Sequence, residues 1–178
     1  MFQKGDLIMY ASTGVCRVED IDIPKPDRRI QSKFSSAGNQ PRLYYKLVPL
    51  YSKGVIYIPV DTTVFMRPVI SRSEANELIA KIPDIREEAF DCRNLKMLSD
   101  HYQSILQTHR CEDLIHLIKS VRQKSQNMIQ NGKRLGQIDQ RYMKRAEELL
   151  YDELATALEI PRDSVCDYIR QAIEKQGA

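Results

Sequence analysis

The sequence contains no long uninterrupted apolar run. Its longest apolar stretches extend for only a few residues, whereas a membrane-spanning helix needs about 20. The opening residues, Met1 to Asp6, include neither a charged leader nor an apolar signal core. With 42% apolar and 29% charged side chains, the composition also argues against a disordered chain. We therefore expect a folded, cytoplasmic, monomeric protein that does not bind a membrane.

Motifs that carry catalysis or bind metal ions are absent too. The sequence has no glycine-rich phosphate loop, no His-Glu-x-x-His and no Gly-x-Ser-x-Gly. The four cysteines have no paired spacing, which in the cytosol is typical of free thiols. No histidine lies one helical turn from another histidine or from a cysteine, so a zinc site is not expected. We predict a protein that is not an enzyme and that uses no cofactor and no metal.

Positive charge is concentrated in the middle of the second half of the chain. The net charge is only +3, but residues 93–145, here called the basic segment, carry eleven basic residues against four acidic ones. A phosphate backbone attracts such a segment, although a solvated helix face is the commoner cause of such charge. The charge distribution alone leaves both interpretations open.

The first seventy residues have the pattern of short β-strands. Runs rich in Val, Ile and Tyr predict five strands, at residues 7–11, 15–23, 43–50, 55–60 and 64–67. Turn residues at 12–14 and 52–54 indicate that successive strands pair antiparallel. Five short strands in this length favour a small SH3-like or Tudor-like barrel. Residues 24–41, rich in Pro and Ser, are predicted to form a long loop.

After Pro68 the hydrophobic period becomes that of a helix. It predicts about five helices, at residues 72–83, 84–107, 112–130, 137–159 and after Pro161. Ser71 and Glu74 have the spacing of a capping box at the first of them. The predicted fold class is therefore α+β, with an antiparallel β-barrel in residues 1–70 and a helical bundle in residues 71–178.

Several segments resemble those of one protein family. They are MFQKGDLIMY at residues 1–10 with Gly14 and Val15, YYKL at 44–47, VIYIPV at 55–60, MRPVIS at 66–71 and KRAEELLYDEL at 144–154. In order and spacing they are similar to the bacterial CarD/CdnL-type transcription regulators. The amino-terminal module of that family is shared with the transcription-repair coupling factor.

The resemblance implies a transcription regulator with two parts. Residues 1–70 would bind the β subunit of RNA polymerase by strand-edge pairing. Residues 71–178 would contact promoter DNA near the upstream edge of the melted bubble, with low sequence specificity, and modulate open-complex stability. The residues assigned to the polymerase are Val55, Ile56, Tyr57 and Ile58, with Arg28 and Arg29 on the long loop. The residues assigned to DNA are Arg93, Leu95, Lys96, Lys119, Arg122, Lys124, Arg141, Lys144 and Arg145.

The chain departs from this family at a position that bears on mechanism. The relatives place a tryptophan at the start of a helix, where it wedges into the minor groove at the bubble edge, and this chain has no Trp. The matching position falls at or beside Leu95, with Cys92, Met97 and Leu98 close by. Leucine can serve as a minor-groove wedge, and it can equally be a core residue. A position often basic in the family falls on Tyr57.

Two alternative functions stay open. One is a polymerase-binding protein that has lost the DNA wedge. The other is a Tudor-like or Sm-like RNA-binding protein that stacks bases on aromatic side chains. The candidates for such stacking are Tyr44, Tyr45, Tyr51 and Tyr57.

Overall fold

Five antiparallel strands form the sheet unit, Met1–Pro68, in the computed structural model, which describes residues 1–23, 42–86 and 89–177. The strands are β1 (Leu7–Tyr10), β2 (Gly14–Asp22), β3 (Tyr44–Pro49), β4 (Ile56–Pro59) and β5 (Met66–Pro68). Their order in the sheet is β4-β3-β2-β1-β5. The five predicted strands are confirmed, with ends that differ by at most two residues. The predicted loop at 24–41 lies outside the described residues.

Alternating side chains build the core of the sheet unit. Residues at every second position of a strand point to the same face, and this spacing joins Cys16 with Val18 and Tyr45 with Leu47. The buried cluster comprises Ile8, Cys16, Val18, Tyr45, Leu47 and Ile58. The backbone N–H of Phe2 donates to the Tyr45 hydroxyl at 3.1 Å, which fastens the start of the chain to β3.

The predicted SH3-like or Tudor-like barrel is not confirmed, because the sheet is open. Barrel closure requires the two outer strands to pair with each other. Across the described ranges, β4 pairs with β3 and β5 pairs with β1, and no ladder joins β4 to β5. The sheet unit therefore has two outer edges, formed by β4 and β5.

The second unit, Val69–Ala178, is helical. Its described residues form five helices: α1 (Arg72–Lys81), α2 (Leu95–Leu106), α3 (Cys111–Gln130), α4 (Gln137–Leu158) and α5 (Val165–Gly177). Short 3-10 turns, Ile82–Asp84 and Arg162–Ser164, follow α1 and precede α5. None of the helices in the described ranges is both long and apolar enough to cross a bilayer. The α+β fold class is thus an open antiparallel sheet followed by helices.

The start of the second helix was predicted wrongly. We expected it near residue 84, but α2 begins at Leu95. Pro83 lies in the 3-10 turn that follows α1, and residues 89–94 are not helical. The N-cap of α2 is Asn94, whose side chain accepts hydrogen bonds from the backbone N–H groups of Lys96 and Met97 at 3.0 and 3.1 Å. This cap fixes which residues form the first turn of α2.

The predicted capping box of α1 is confirmed. The Ser71 hydroxyl accepts from the backbone N–H of Glu74 at 3.2 Å, and the Glu74 carboxylate accepts from the backbone N–H of Ser71 at 2.7 Å. Two otherwise unsatisfied donors at the helix start are thereby paired.

We expect Ser71→Ala to lower the free energy of unfolding by about 1 kcal/mol, because the N–H of Glu74 loses its acceptor. Urea denaturation of the full chain, followed by circular dichroism, measures the change. Ser73→Ala is the matched control, since the Ser73 hydroxyl donates to the exposed side chain of Glu77, one turn later. Equal losses in both variants would contradict the capping assignment.

Candidate functional site

One outer edge of the sheet unit is β4, which carries three of the six predicted polymerase-binding residues. Ile58 is buried in the core cluster and Ile56 packs against it. Tyr57, between them, is 43% exposed, and Val55, just before the strand, is 49% exposed. The predicted segment therefore divides by side-chain direction: two residues hold β4 in the sheet, and two face outward.

The hydrogen-bond register shows which backbone groups of β4 face outward. The N–H of Val60 donates to the carbonyl of Leu43 at 3.1 Å. Pairs along an antiparallel ladder alternate between bonded and non-bonded, so in the observed register Ile58 bonds to β3 while Tyr57 and Pro59 do not. Pro59, which has no N–H, costs the ladder nothing at this position. The outward-pointing amide of the β4 edge is therefore that of Tyr57.

A second candidate surface is the start of α2 with the two residues before it, residues 93–97, here called the α2 tip. Leu95 is 65% exposed and Met97 is 57% exposed. The next apolar residue, Leu98, is buried. Leu95 is therefore not part of the helical core. Two exposed cations flank it, Arg93 and Lys96.

A buried polar network joins α2, α3 and α4 behind the α2 tip. Asp139 of α4, only 2% exposed, accepts a hydrogen bond from the Tyr102 hydroxyl at 2.7 Å. It also forms an ion pair with the Lys124 ammonium at 3.0 Å. Asp91, before α2, lies 3.8 Å from the Lys124 ammonium. Burial, together with the bond to Asp139, raises the pKa of Tyr102, which keeps its hydroxyl a donor. One carboxylate thus holds three helices together.

A second contact places α4 beside the α2 tip. The hydroxyls of Ser99 and Tyr142 are hydrogen-bonded at 2.9 Å. Leu95 precedes Ser99 by one helical turn and lies on the same face of α2. The Arg141 guanidinium stands 5.1 Å from the ring centre of Tyr142. Tyr142 of α4 thus contacts α2 one turn after Leu95 and also carries the exposed Arg141 beside its ring.

Comparison with known families identifies the sheet unit. Residues 2–70 match the family model described as CarD-like/TRCF RID domain. This segment is a CarD-like module. The match confirms the resemblance for the sheet unit and indicates a transcription-related protein that interacts with RNA polymerase. No curated protein matches the chain.

The CarD-like module contains both β4 and the four tyrosines proposed for RNA stacking. Tyr44 and Tyr45 are buried, so their rings are not available to bases. Tyr51 and Tyr57 are exposed. Single-stranded RNA-binding surfaces stack successive bases on exposed aromatic rings. The burial of two of the four rings therefore favours the CarD-like interpretation over the RNA-binding one.

Two of the cations assigned to DNA have their charges inside the helical unit. Lys124 is buried in the ion pair with Asp139. The Lys119 ammonium donates to the backbone carbonyls of Ile82 and Ile85, at 3.0 and 2.6 Å, where α1 and its 3-10 turn end. These contacts hold parts of the helical unit together, so both ammonium groups are engaged within it and not directed to a DNA surface.

The other assigned cations lie at or near the surface. Arg122 pairs with Glu147 at 2.8 Å, and Arg145 pairs with Glu148 at 2.9 Å. The remaining four are exposed, at Arg93, Lys96, Arg141 and Lys144. Arg28 and Arg29 lie outside the described residues. The exposed cations among those assigned to DNA thus lie at the α2 tip and in the first half of α4.

Lys124→Met should lower the free energy of unfolding by about 3 to 5 kcal/mol, because it leaves the Asp139 carboxylate buried without its partner. The double variant with Asp139→Leu should recover much of this loss, since both charges are then absent. Lys144→Met, at an exposed position of α4, is the control and should change stability by less than about 0.5 kcal/mol. Chemical denaturation of the full chain compares the three; equal stability of the two single variants would contradict a buried pair.

Proposed function

We propose that this chain is a non-enzymatic transcription regulator that acts in the cytoplasm as a monomer. Its CarD-like module binds the β subunit of RNA polymerase through the β4 edge. Its helical unit contacts promoter DNA at the upstream edge of the bubble and modulates open-complex stability, with little sequence specificity. The observation that carries this proposal is the match of residues 2–70 to a polymerase-interacting domain.

The geometry of β4 supports binding by strand addition. In this mode the partner extends the sheet, backbone bonds give affinity and alternate side chains give specificity. The backbone amide and carbonyl of Tyr57 point to the outer edge of the sheet. The side chains of Tyr57 and Val55 are exposed at the same edge. Ile56 and Ile58 hold the strand from the other side. Polymerase contact therefore does not require β4 to leave the sheet.

Tyr57→Pro should abolish polymerase binding while the module stays folded, because proline removes an amide that does not bond to β3. Tyr57→Ala keeps that amide and should retain measurable binding. Affinity capture of purified polymerase by the full-length variants, with circular dichroism for the fold, gives the comparison. We expect Ile58→Pro to unfold the module instead, because the Ile58 amide belongs to the ladder with β3. Full polymerase binding by a folded Tyr57→Pro variant would exclude edge pairing.

The α2 tip supports a wedge function on physical grounds. A wedge stabilises open DNA only by the difference between its contacts with unstacked and with closed DNA. An exposed leucine can enter a gap between bases without leaving the protein core. Complete burial of a leucine contributes about 1.5 to 3 kcal/mol, so the effect on open-complex stability is modest.

Leu95→Ala should shorten the open-complex lifetime without lowering the melting temperature, because the side chain is exposed. Leu95→Trp should lengthen the lifetime by enlarging the inserted surface. The control is Leu43→Ala, another exposed leucine, which lies in the sheet unit and should leave the lifetime unchanged. Lifetimes are measured on a competitor-challenged promoter complex. If Leu95→Ala keeps the wild-type open-complex lifetime, Leu95 is not a wedge, and the result favours the alternative of a polymerase-binding protein without wedge activity.

Arg141→Glu and Lys144→Glu should each weaken DNA binding to a similar extent on different sequences. If each residue contacts one phosphate, the slope of the logarithm of affinity against the logarithm of salt concentration falls by about 0.9 per contact. Titration of the full chain with duplex DNA at several salt concentrations measures this slope. Lys175→Glu, an equal charge change on exposed α5, should leave it unchanged. The same slope in all variants would mean that the two residues contact no phosphate and belong to a solvated helix face.

A further inference from the structure

A groove on the helical unit combines an aliphatic floor with several hydrogen-bond donors. It has a volume of about 360 Å³ and lies between the 3-10 turn after α1 and helices α3, α4 and α5. Pockets that bind small molecules have volumes of roughly 300 to 1,000 Å³ and are mostly apolar, with a few polar groups that fix orientation. The groove is therefore large enough for a small organic ligand.

The floor of the groove is aliphatic. Ile115 and Ile118 of α3 and Leu150 of α4 line it, and all three are largely buried. Ile82 and the half-buried Ile169 complete the apolar lining. A polar molecule without an apolar part would gain nothing from this surface, because the hydrophobic contribution grows with the apolar area removed from water.

The polar lining of the groove is rich in donors and contains no carboxylate among the described residues. Two arginines, a lysine, a phenol and a thiol line it: Arg122, Arg170, Lys119, Tyr151 and Cys166. Three of these five groups are cations. The Lys119 ammonium is already held by backbone carbonyls and Arg122 pairs with Glu147. The charge that favours a ligand with an anionic group is therefore chiefly that of Arg170, whose pair with Asp167 is exposed and screened by water.

Neighbouring contacts orient these donors. The Arg122 guanidinium donates to the Glu147 carboxylate at 2.8 Å and to the Tyr151 hydroxyl at 3.3 Å. Burial raises the pKa of the Tyr151 phenol to about 12, with a smaller contribution from its hydrogen bond to Cys166. The phenol is therefore a neutral donor at physiological pH. Both bonds come from one nitrogen of the guanidinium, so a bound carboxylate would accept from the remaining N–H groups of Arg122.

We propose that this groove binds a small amphiphilic carboxylate. The apolar body of the ligand lies on the isoleucine and leucine floor, and its carboxylate faces the guanidinium groups of Arg122 and Arg170. The site lies wholly within the helical unit. Cys166 is exposed at the groove, so a bound ligand covers its thiol.

The test uses octanoate as the probe and the full chain, with octanol as the uncharged control of equal chain length. Isothermal titration should detect saturable binding of octanoate and binding of octanol that is at least about tenfold weaker, because octanol lacks the charge-assisted hydrogen bonds. Octanoate should also slow alkylation of Cys166 by iodoacetamide, located by peptide mass spectrometry. Alkylation of the half-buried Cys92, which does not line the groove, is the internal control and should not change.

Two variants connect binding to the groove. Arg170→Glu reverses one lining charge and should weaken octanoate binding by about tenfold or more; its ion pair with Asp167 is exposed, so the fold should be unaffected. Cys166→Trp should fill the groove and abolish binding. The matched control is Lys175→Glu, an equal charge change on α5 outside the groove, which should bind octanoate as the wild type does. Absence of octanoate binding, equal binding of octanol, or undiminished binding by folded Arg170→Glu and Cys166→Trp proteins would each overturn the proposal. Polymerase binding is measured separately, so these outcomes do not bear on the proposed function.

Discussion

The buried carboxylate of Asp139 is the constraint on which the candidate DNA surface depends. A charge removed from water is tolerated only when it is paired and hydrogen-bonded, and here the Tyr102 hydroxyl and the Lys124 ammonium satisfy that requirement. Because these three groups come from three helices, a shift of α2, α3 or α4 relative to the others would break a buried hydrogen bond or ion pair. The α2 tip, which extends beyond this network, can therefore expose Leu95 and Met97 while α2 remains anchored.

In β4, some residues stabilise the sheet and others face outward. Its inward side chains, Ile56 and Ile58, belong to the core, and the ladder to β3 satisfies their backbone. The side chain of Tyr57 is exposed, and its backbone N–H and carbonyl point away from β3. An edge strand presents a template for pairing with another chain, and Pro59 ends the strand without costing the sheet a hydrogen bond. The same four residues thus stabilise the module on one side and define a docking edge on the other.

The sequence predicted those features that depend on neighbouring residues. Short runs rich in Val, Ile and Tyr located all five strands, and the spacing of Ser71 and Glu74 predicted a capping box that the structure contains. Barrel closure could not be derived in this way, because it depends on pairing between strands far apart in sequence. The start of α2 was missed because the pattern did not distinguish a 3-10 turn at Pro83 from a helix start, although Asn94 was a visible cap. Lys124 was assigned to DNA because its charge was counted without its partner; its place on the apolar face of α3, three residues after Val121, was the signal for burial.

Two lysines of the basic segment have their charges inside the helical unit, which lowers the affinity for DNA that the sequence alone would suggest. Lys119 and Lys124 are held by the helical unit, and Arg122 and Arg145 are paired with glutamates. Fewer cations then face phosphates than the sequence count indicates, so the affinity of the isolated chain for duplex DNA should be low. Under the proposed function this weakness is compatible with activity, because attachment to polymerase makes the DNA contact effectively intramolecular and raises its local concentration. Specificity for promoters would then come from where polymerase is bound, and the α2 tip would need to distinguish only open from closed DNA.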